Sequence, residues 1–161
     1  NFPFSMSASI TGEYRINRAA GARVDYAIFV NPDYDTGVQV HDAIERLQRA
    51  MPEKSVNHTA FFPIRNRPIS VSIETKRASS SQDKALLQIG IWQSSQWKLL
   101  ANLAGPEAVQ KLPFIPGIVV EGYDWKLAAT TIEGQKTALY TKILLGTTET
   151  PLGIYFIVAA L

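Results

Sequence analysis

Apolar and polar positions divide the chain into a small number of readable segments. From Val24 to Val30 the run Val-Asp-Tyr-Ala-Ile-Phe-Val is rich in β-branched and aromatic residues and is stopped by Asn31-Pro32, which predicts a strand. The stretch before it, Asn17 to Arg23, contains Ala-Ala-Gly and reads as a turn, with Arg15, Arg18 and Arg23 in and beside it. Between Val38 and Met51, Val40, Ile44, Leu47 and Ala50 (or Met51) recur at helical spacing, Asp42, Glu45, Arg46 and Arg49 fall on the wet side, and Pro52 ends the helix. Ile69 to Thr75 alternates Ile69, Val71 and Ile73 with Ser70, Ser72 and Glu74, a strand with one apolar face and Glu74 in the polar register.

After a polar, Ser-rich loop from Arg77 to Asp83, a long helix is predicted from Lys84 to Leu103, apolar on most of its faces. Ile118 to Val120, Trp125 to Ile132 and Thr137 to Leu145 read as three strands, the last two joined by a turn at Glu133-Gly134-Gln135, and a final helix begins near Pro151. The order helix, strand, long helix, run of strands predicts an α/β (mixed α+β) fold with a central mixed β-sheet flanked by helices. No internal repeat or interdomain linker breaks it, so residues 1–161 are read as one domain.

Composition narrows the function classes. The 161 residues are 46% apolar and 19% charged, which is globular composition for a chain long enough to bury its own core. With no cysteine, thiolate metal sites, disulfide scaffolds and cysteine nucleophiles are excluded. A net charge of +2 is too small for a generic polyanion binder, so a nucleic-acid partner requires a local basic patch. The apolar run Leu152 to Leu161 is far short of the ~20 residues of a membrane span, and no signal segment opens the chain. Asn57-His58-Thr59 fits a glycosylation triplet, but nothing else indicates secretion, and an intracellular domain of a longer protein is the expectation. No nucleophile elbow, Walker or Gly-x-Gly-x-x-Gly motif occurs.

Two acid-x-Lys triplets remain as candidate chemistry, Glu74-Thr75-Lys76 and Asp124-Trp125-Lys126. On a strand, residues i and i+2 share a face, so Glu74 and Lys76 project together, and an Asp at the start of a neighbouring strand, Asp25, would meet them. Two carboxylates hold Mg²⁺ through hard oxygens while an ammonium beside them serves a phosphate, which is the toolkit of phosphodiester hydrolysis. A lone triplet of this kind is more often a solvated ion pair contributing under ~1 kcal/mol. Context separates the two: the first closes a strand and precedes a polar loop and a long helix, whereas the second is read as a surface pair at a strand entry.

An Asp opening one strand, Glu74-Thr-Lys76 closing the next and Gln88 on the following helix resemble the signature of the PD-(D/E)XK nuclease superfamily. Gln88-Ile-Gly-Ile-Trp92 is similar to the Gln-x-x-x-Tyr element of RecB-type members, with Trp92 in place of Tyr. Longer blocks, including Val71-Ser-Ile-Glu-Thr-Lys-Arg77, Leu112-Pro-Phe-Ile-Pro116, Gly122-Tyr-Asp-Trp125 and Leu152-Gly-Ile-Tyr155, extend the resemblance to fungal PD-(D/E)XK nuclease-like domains, over most of the chain from Arg23 onward.

The resemblance implies a restriction-endonuclease-like core and a nuclease acting with Mg²⁺ or Mn²⁺. Asp25 and Glu74 would be metal ligands joined by the Thr75 carbonyl, Lys76 the catalytic ammonium, and Gln88 a residue holding the site or its water. The Pro expected before the first Asp is Val24 here, and Glu13 is the one upstream candidate for a further acid. Arg77 and Lys84, with Arg65 and Arg67, are the candidate phosphate-facing cations, and the expected partner is nucleic acid, DNA before RNA. The alternative is the same fold without nuclease activity, used as a binding module or for small-molecule chemistry. His58 reads as a loop histidine, His41 as a surface residue, and Trp92 and Trp97 as core rather than base-stacking residues.

Overall fold

The computed structural model describes residues 4–5, 9–16, 22–34, 38–78, 82–134 and 136–161. The turn read at 17–23, the middle of the Ser-rich loop and Gln135 fall wholly or partly outside these residues. One six-stranded sheet carries its strands in chain order: β1 (Phe4–Ser5), β2 (Tyr26–Phe29), β3 (Ile69–Lys76), β4 (Ile115–Glu121), β5 (Asp124–Glu133) and β6 (Lys136–Thr147). Every neighbouring pair is antiparallel except β3 and β4, which are parallel. A parallel pair needs a crossover. Here α2 (Gln82–Ala104) and α3 (Pro106–Val109) supply it, while α1 (Val38–Ala50) precedes β3 and α4 (Pro151–Ala160) follows β6. This is the mixed α/β architecture read from the sequence, a mixed sheet flanked by helices.

The strands are built as their patterns require. Gly122 and Gly134 take positive φ, 60° and 64°, in the tight turns that join β4 to β5 and β5 to β6. A row of small residues crosses the sheet, Ala27 opposite Ser72, Ser72 opposite Gly117 and Gly117 opposite Ala128. The long helix α2 settles over that row. A Cβ on Gly117 would lie 2.8 Å from Gln93 Nε2, so a larger residue there would have to displace the Gln93 amide from its place beneath the helix. The inward residues Ala85, Ile89, Trp92 and Leu99 join Ala27, Phe29, Val119 and Ala128 in the main core. The other sheet face buries Ile73, Ile118 and Val120, with Trp125 and Leu145 against them.

Polar residues beneath α2 explain a feature the alternation on β3 did not show. Ser72 and Glu74 are buried, not wet, because the underside of α2 is itself partly polar: Gln93 donates to the Pro116 carbonyl at 2.8 Å and Gln96 to the Ile69 carbonyl at 3.0 Å. Trp92 and Trp97 are core residues, as expected, and Trp97 Nε1 donates to Thr130 Oγ1 at 3.0 Å. The apolar stripe of α1 is only half used. Ile44 and Leu47 are part-buried, Val40 is exposed, and among the described residues the helix packs chiefly on the turns at 32–34 and 52–54.

The segment leading into β3 is held by Asn57. Its amide donates to the carbonyls of Ile64 (2.7 Å) and Arg67 (3.0 Å), and its Oδ1 accepts from the Ile69 N–H at 3.0 Å. The side chain of the Asn57-His-Thr59 triplet is therefore internal and fully engaged. Among the described residues, no helix is long and apolar enough to cross a membrane.

Candidate active site at the end of the parallel strand pair

Asp25 stands immediately before β2. Tyr26 lies opposite Ile73, so Asp25 comes alongside Glu74 and Thr75, and its own N–H donates to the Ile73 carbonyl at 3.1 Å. Its Oδ2 accepts two hydrogen bonds from Thr75, from the backbone N–H at 2.8 Å and from Oγ1 at 2.7 Å. Backbone groups of successive strand residues point to opposite neighbours. Ile73 bonds toward β2, and the Lys76 carbonyl accepts from Gly122 on the β4 side, so Thr75 turns its N–H and its carbonyl toward Asp25. The structure thus brings together Asp25, Glu74, Thr75 and Lys76, which are 50 residues apart at the widest hydrogen bond.

Glu74 is 1% exposed. Its Oε1 takes the Lys76 ammonium at 2.5 Å, and its Oε2 is buried with no hydrogen-bond partner. Its pKa is raised above the ordinary carboxylate value, chiefly by burial and further by the charge of Asp25, with Lys76 and the nearby backbone N–H of Asp25 pulling the other way. A carboxylate kept in such a place, with one oxygen unanswered, is costly unless a cation meets it.

Gln88 is half-buried beside the inward stripe of α2, in the helix's first half, and no hydrogen bond joins it to either carboxylate among the described residues. Arg77, the residue after β3, and Lys84, in the first turn of α2, are both exposed. Arg65 and Arg67 do not join them. They precede β3, at the far end of an eight-residue strand, where Arg65 donates to the Ala60 carbonyl and Arg67 lies over the Phe29 ring and 3.6 Å from Asp33. Glu13 is also remote: its carbonyl accepts from Lys98, late in α2.

The sheet adds Lys126, which sequence reasoning set aside with its triplet, and Glu121, which it did not consider. Glu74, Val119 and Lys126 are consecutive in one cross-strand row, and Lys76 lies opposite Glu121 in the next. Lys126 Nζ is 2.6 Å from Glu121 Oε2, and Glu121 Oε1 is buried without a partner. A second acid–ammonium pair therefore repeats Glu74–Lys76 one strand over, on the same face. The clue lay in the second acid-x-Lys triplet, but its placement depends on β4 lying beside β3, which no local pattern encodes.

One further cluster has metal-ligand character. His41, Asp42 and Glu45 on α1 bring one ligand atom each within 4.8 Å of one another, the one such trio among the described residues, and all three are exposed. Glu45 is already paired with Arg49 at 2.6 Å.

The model of the PD-(D/E)XK nuclease superfamily matches residues 1–161. The chain belongs to the PD-(D/E)XK nuclease superfamily. Neither a curated protein nor a solved structure gives a match. Superfamily members generally use divalent metals, and the donor set here fits one. Two carboxylates and the Thr75 carbonyl are hard oxygen donors, Glu74 Oε2 is unpartnered, and both hydrogen bonds the described residues make to the Asp25 carboxyl fall on Oδ2. A site with two protein carboxylates and room for water is the way Mg²⁺ is usually held.

Proposed function

We propose that this domain hydrolyses phosphodiester bonds in nucleic acid, DNA in preference to RNA, with Mg²⁺ or Mn²⁺ held by Asp25, Glu74 and the Thr75 carbonyl. The observation that carries the reading is the buried Glu74 carboxylate, bonded to Lys76 on one oxygen and unpartnered on the other, beside an Asp25 fixed by Thr75. The cation supplies a lowered pKa for its water and neutralises charge on the phosphoryl group.

The chain's own residues do the rest. Thr75 locks the Asp25 carboxyl in orientation through two hydrogen bonds, so the ligand pair is preorganised. Lys76, 23% exposed at its side chain, places an ammonium at the mouth of the site, where it stabilises the charge that develops as water attacks phosphorus and the bridging P–O bond breaks. Gln88 orients the water from the helix side. Arg77 and Lys84 meet flanking phosphates, and Lys126 adds a third cation on the β5 side.

The test is cleavage of fluorescent single- and double-stranded DNA with Mg²⁺ or Mn²⁺. Wild type should cut, and Lys76→Ala should lower kcat by 100-fold or more, on the order of 3 kcal/mol or more. Cleavage that is unaffected by Lys76→Ala, or by chelation of the metal, would exclude the proposed site.

The alternative, a nuclease-like fold serving as a small-molecule binding module, has one feature in its favour. An apolar groove of about 380 Å³ lies between α2 and β6, lined by Leu86, Leu87, Gly90, Ile91 and Leu139. It contains none of Asp25, Glu74 and Lys76, so ligand binding there would leave the carboxylate site unexplained.

A further inference from the structure

The turn between β4 and β5 lies at the end of the sheet that carries the carboxylates, and its backbone is held from both sides. Gly122 donates its N–H to the Lys76 carbonyl at 3.0 Å, and a Cβ on it would lie 3.1 Å from the Ala78 Cβ. The carbonyl of Tyr123 accepts from the Thr148 N–H at 2.9 Å and from Thr148 Oγ1 at 3.4 Å. The turn is thus tied to the strand of Glu74 and Lys76 on one side and to the segment after β6 on the other. Tyr123 itself is 62% exposed, and among the described residues neither its ring nor its hydroxyl meets a partner. A single exposed tyrosine is ordinary on a protein surface. This one stands one residue beyond the hydrogen bond to Lys76 and two beyond Glu121.

The charges around it argue for one kind of nucleic acid over another. Lys76 lies opposite Glu121, and Glu121 opposite Asp124, in the last row before the turn. In the row behind it Glu74 and Lys126 flank Val119, and Lys126 is tied to Glu121 at 2.6 Å. The two lysines of these rows are matched by three carboxylates. Duplex binding draws on many phosphate contacts, and these rows leave little unopposed charge to make them. An unpaired strand is held in another way: its bases stack on exposed aromatic rings, and its backbone needs only a few cations.

We propose that Tyr123 is a base-stacking residue and that the domain takes single-stranded or frayed nucleic acid, with one unpaired base on the Tyr123 ring and the adjoining phosphate on Lys126. The inference rests on the nuclease reading, which places the strand across this end of the sheet. Glu121 is then a positioning residue, holding the Lys126 ammonium beside the turn. The backbone of the turn is fixed before the strand arrives, so little ordering opposes the stack. Phe62, more exposed at 79%, precedes β3 at the opposite end of that strand, away from the carboxylates, and has no such role.

Fluorescence anisotropy tests it, with a labelled oligothymidine of about 16 nucleotides and a blunt duplex of the same length, in Ca²⁺ so that binding is read without cleavage. Wild type should bind the single strand at least tenfold more tightly than the duplex. Tyr123→Ala should lose about tenfold or more of the single-strand affinity, the worth of one stacked base, while Tyr123→Phe keeps it and Phe62→Ala changes nothing. Lys126→Met should lower the slope of affinity against salt by about one. No binding to either probe, equal affinity for both, or a Tyr123→Ala variant that holds the single strand as wild type does would overturn the proposal. If Mg²⁺-dependent cleavage that requires Lys76 persists in that case, the nuclease reading stands without it. Binding that depends on Tyr123 but leads to no cleavage would sustain the stacking site and overturn the nuclease reading instead.

Discussion

His58 shows what a single residue can conceal. It sits in the loop where the sequence places it, yet it is fully buried, with neither ring nitrogen hydrogen-bonded and its ring edge-on to Trp92 at 4.3 Å. Burial pushes its pKa down to about 3, against ~6.5 in an unfolded chain. Below pH 6.5 the unfolded state therefore takes up a proton that the folded state refuses. The stability this neutral histidine permits is complete above pH 6.5 and is lost as the pH falls toward 3, by up to ~1.4 kcal/mol per unit. Urea unfolding of wild type and His58→Phe at a series of pH values should show the wild type losing stability more steeply over that window. Parallel curves would contradict the account. A lone histidine in a polar triplet carries no burial signal, so this was beyond the sequence. Glu74 was half legible: its register and its partnership with Lys76 followed from alternation on β3, whereas its burial depends on the polar underside of α2, where Gln93 and Gln96 make room for a polar stripe.

Elements were read with more success than their surroundings. The strand at β3, the long helix and the closing hairpins follow from local periodicity, turn residues and proline stops, and they lie where expected to within a few residues. What α1 and α4 pack against did not follow, because an apolar stripe specifies that a helix is sticky and not which surface it meets. For α4 the deciding residues are glycines. Gly153→Ala should destabilise the domain by about 3 kcal/mol, since its Cβ would strike backbone atoms of Thr147 that cannot move aside, whereas Gly12→Ala, with nothing within 4 Å, should change little. Equal melting temperatures for the two variants would show that the close contact between α4 and β6 is not a determinant of stability.

At the scale of the whole molecule, the site exists because the chain crosses over between β3 and β4 and then doubles back. The parallel pair puts Lys76 opposite Glu121, the following hairpin puts Lys126 in the row of Glu74, and β2 delivers Asp25 from the other side. Asp25, Glu74 and Lys76 could be nominated from the sequence through their order and a family resemblance. Lys126 was visible only as part of a second triplet and its partner Glu121 not at all, since strand order is a property of the fold. The same topology carries Arg65 and Arg67 to the opposite end of β3, away from Lys76 and Lys126. The most direct test of the central claim is calorimetric titration of Mn²⁺ into wild type and Asp25→Asn. An asparagine oxygen still accepts from Thr75, so the variant should keep its fold. The account predicts one site in the wild type and at least a tenfold loss of affinity in the variant, about 1.4 kcal/mol or more. No binding, or equal binding in both proteins, as would arise if His41, Asp42 and Glu45 took the ion, would contradict it.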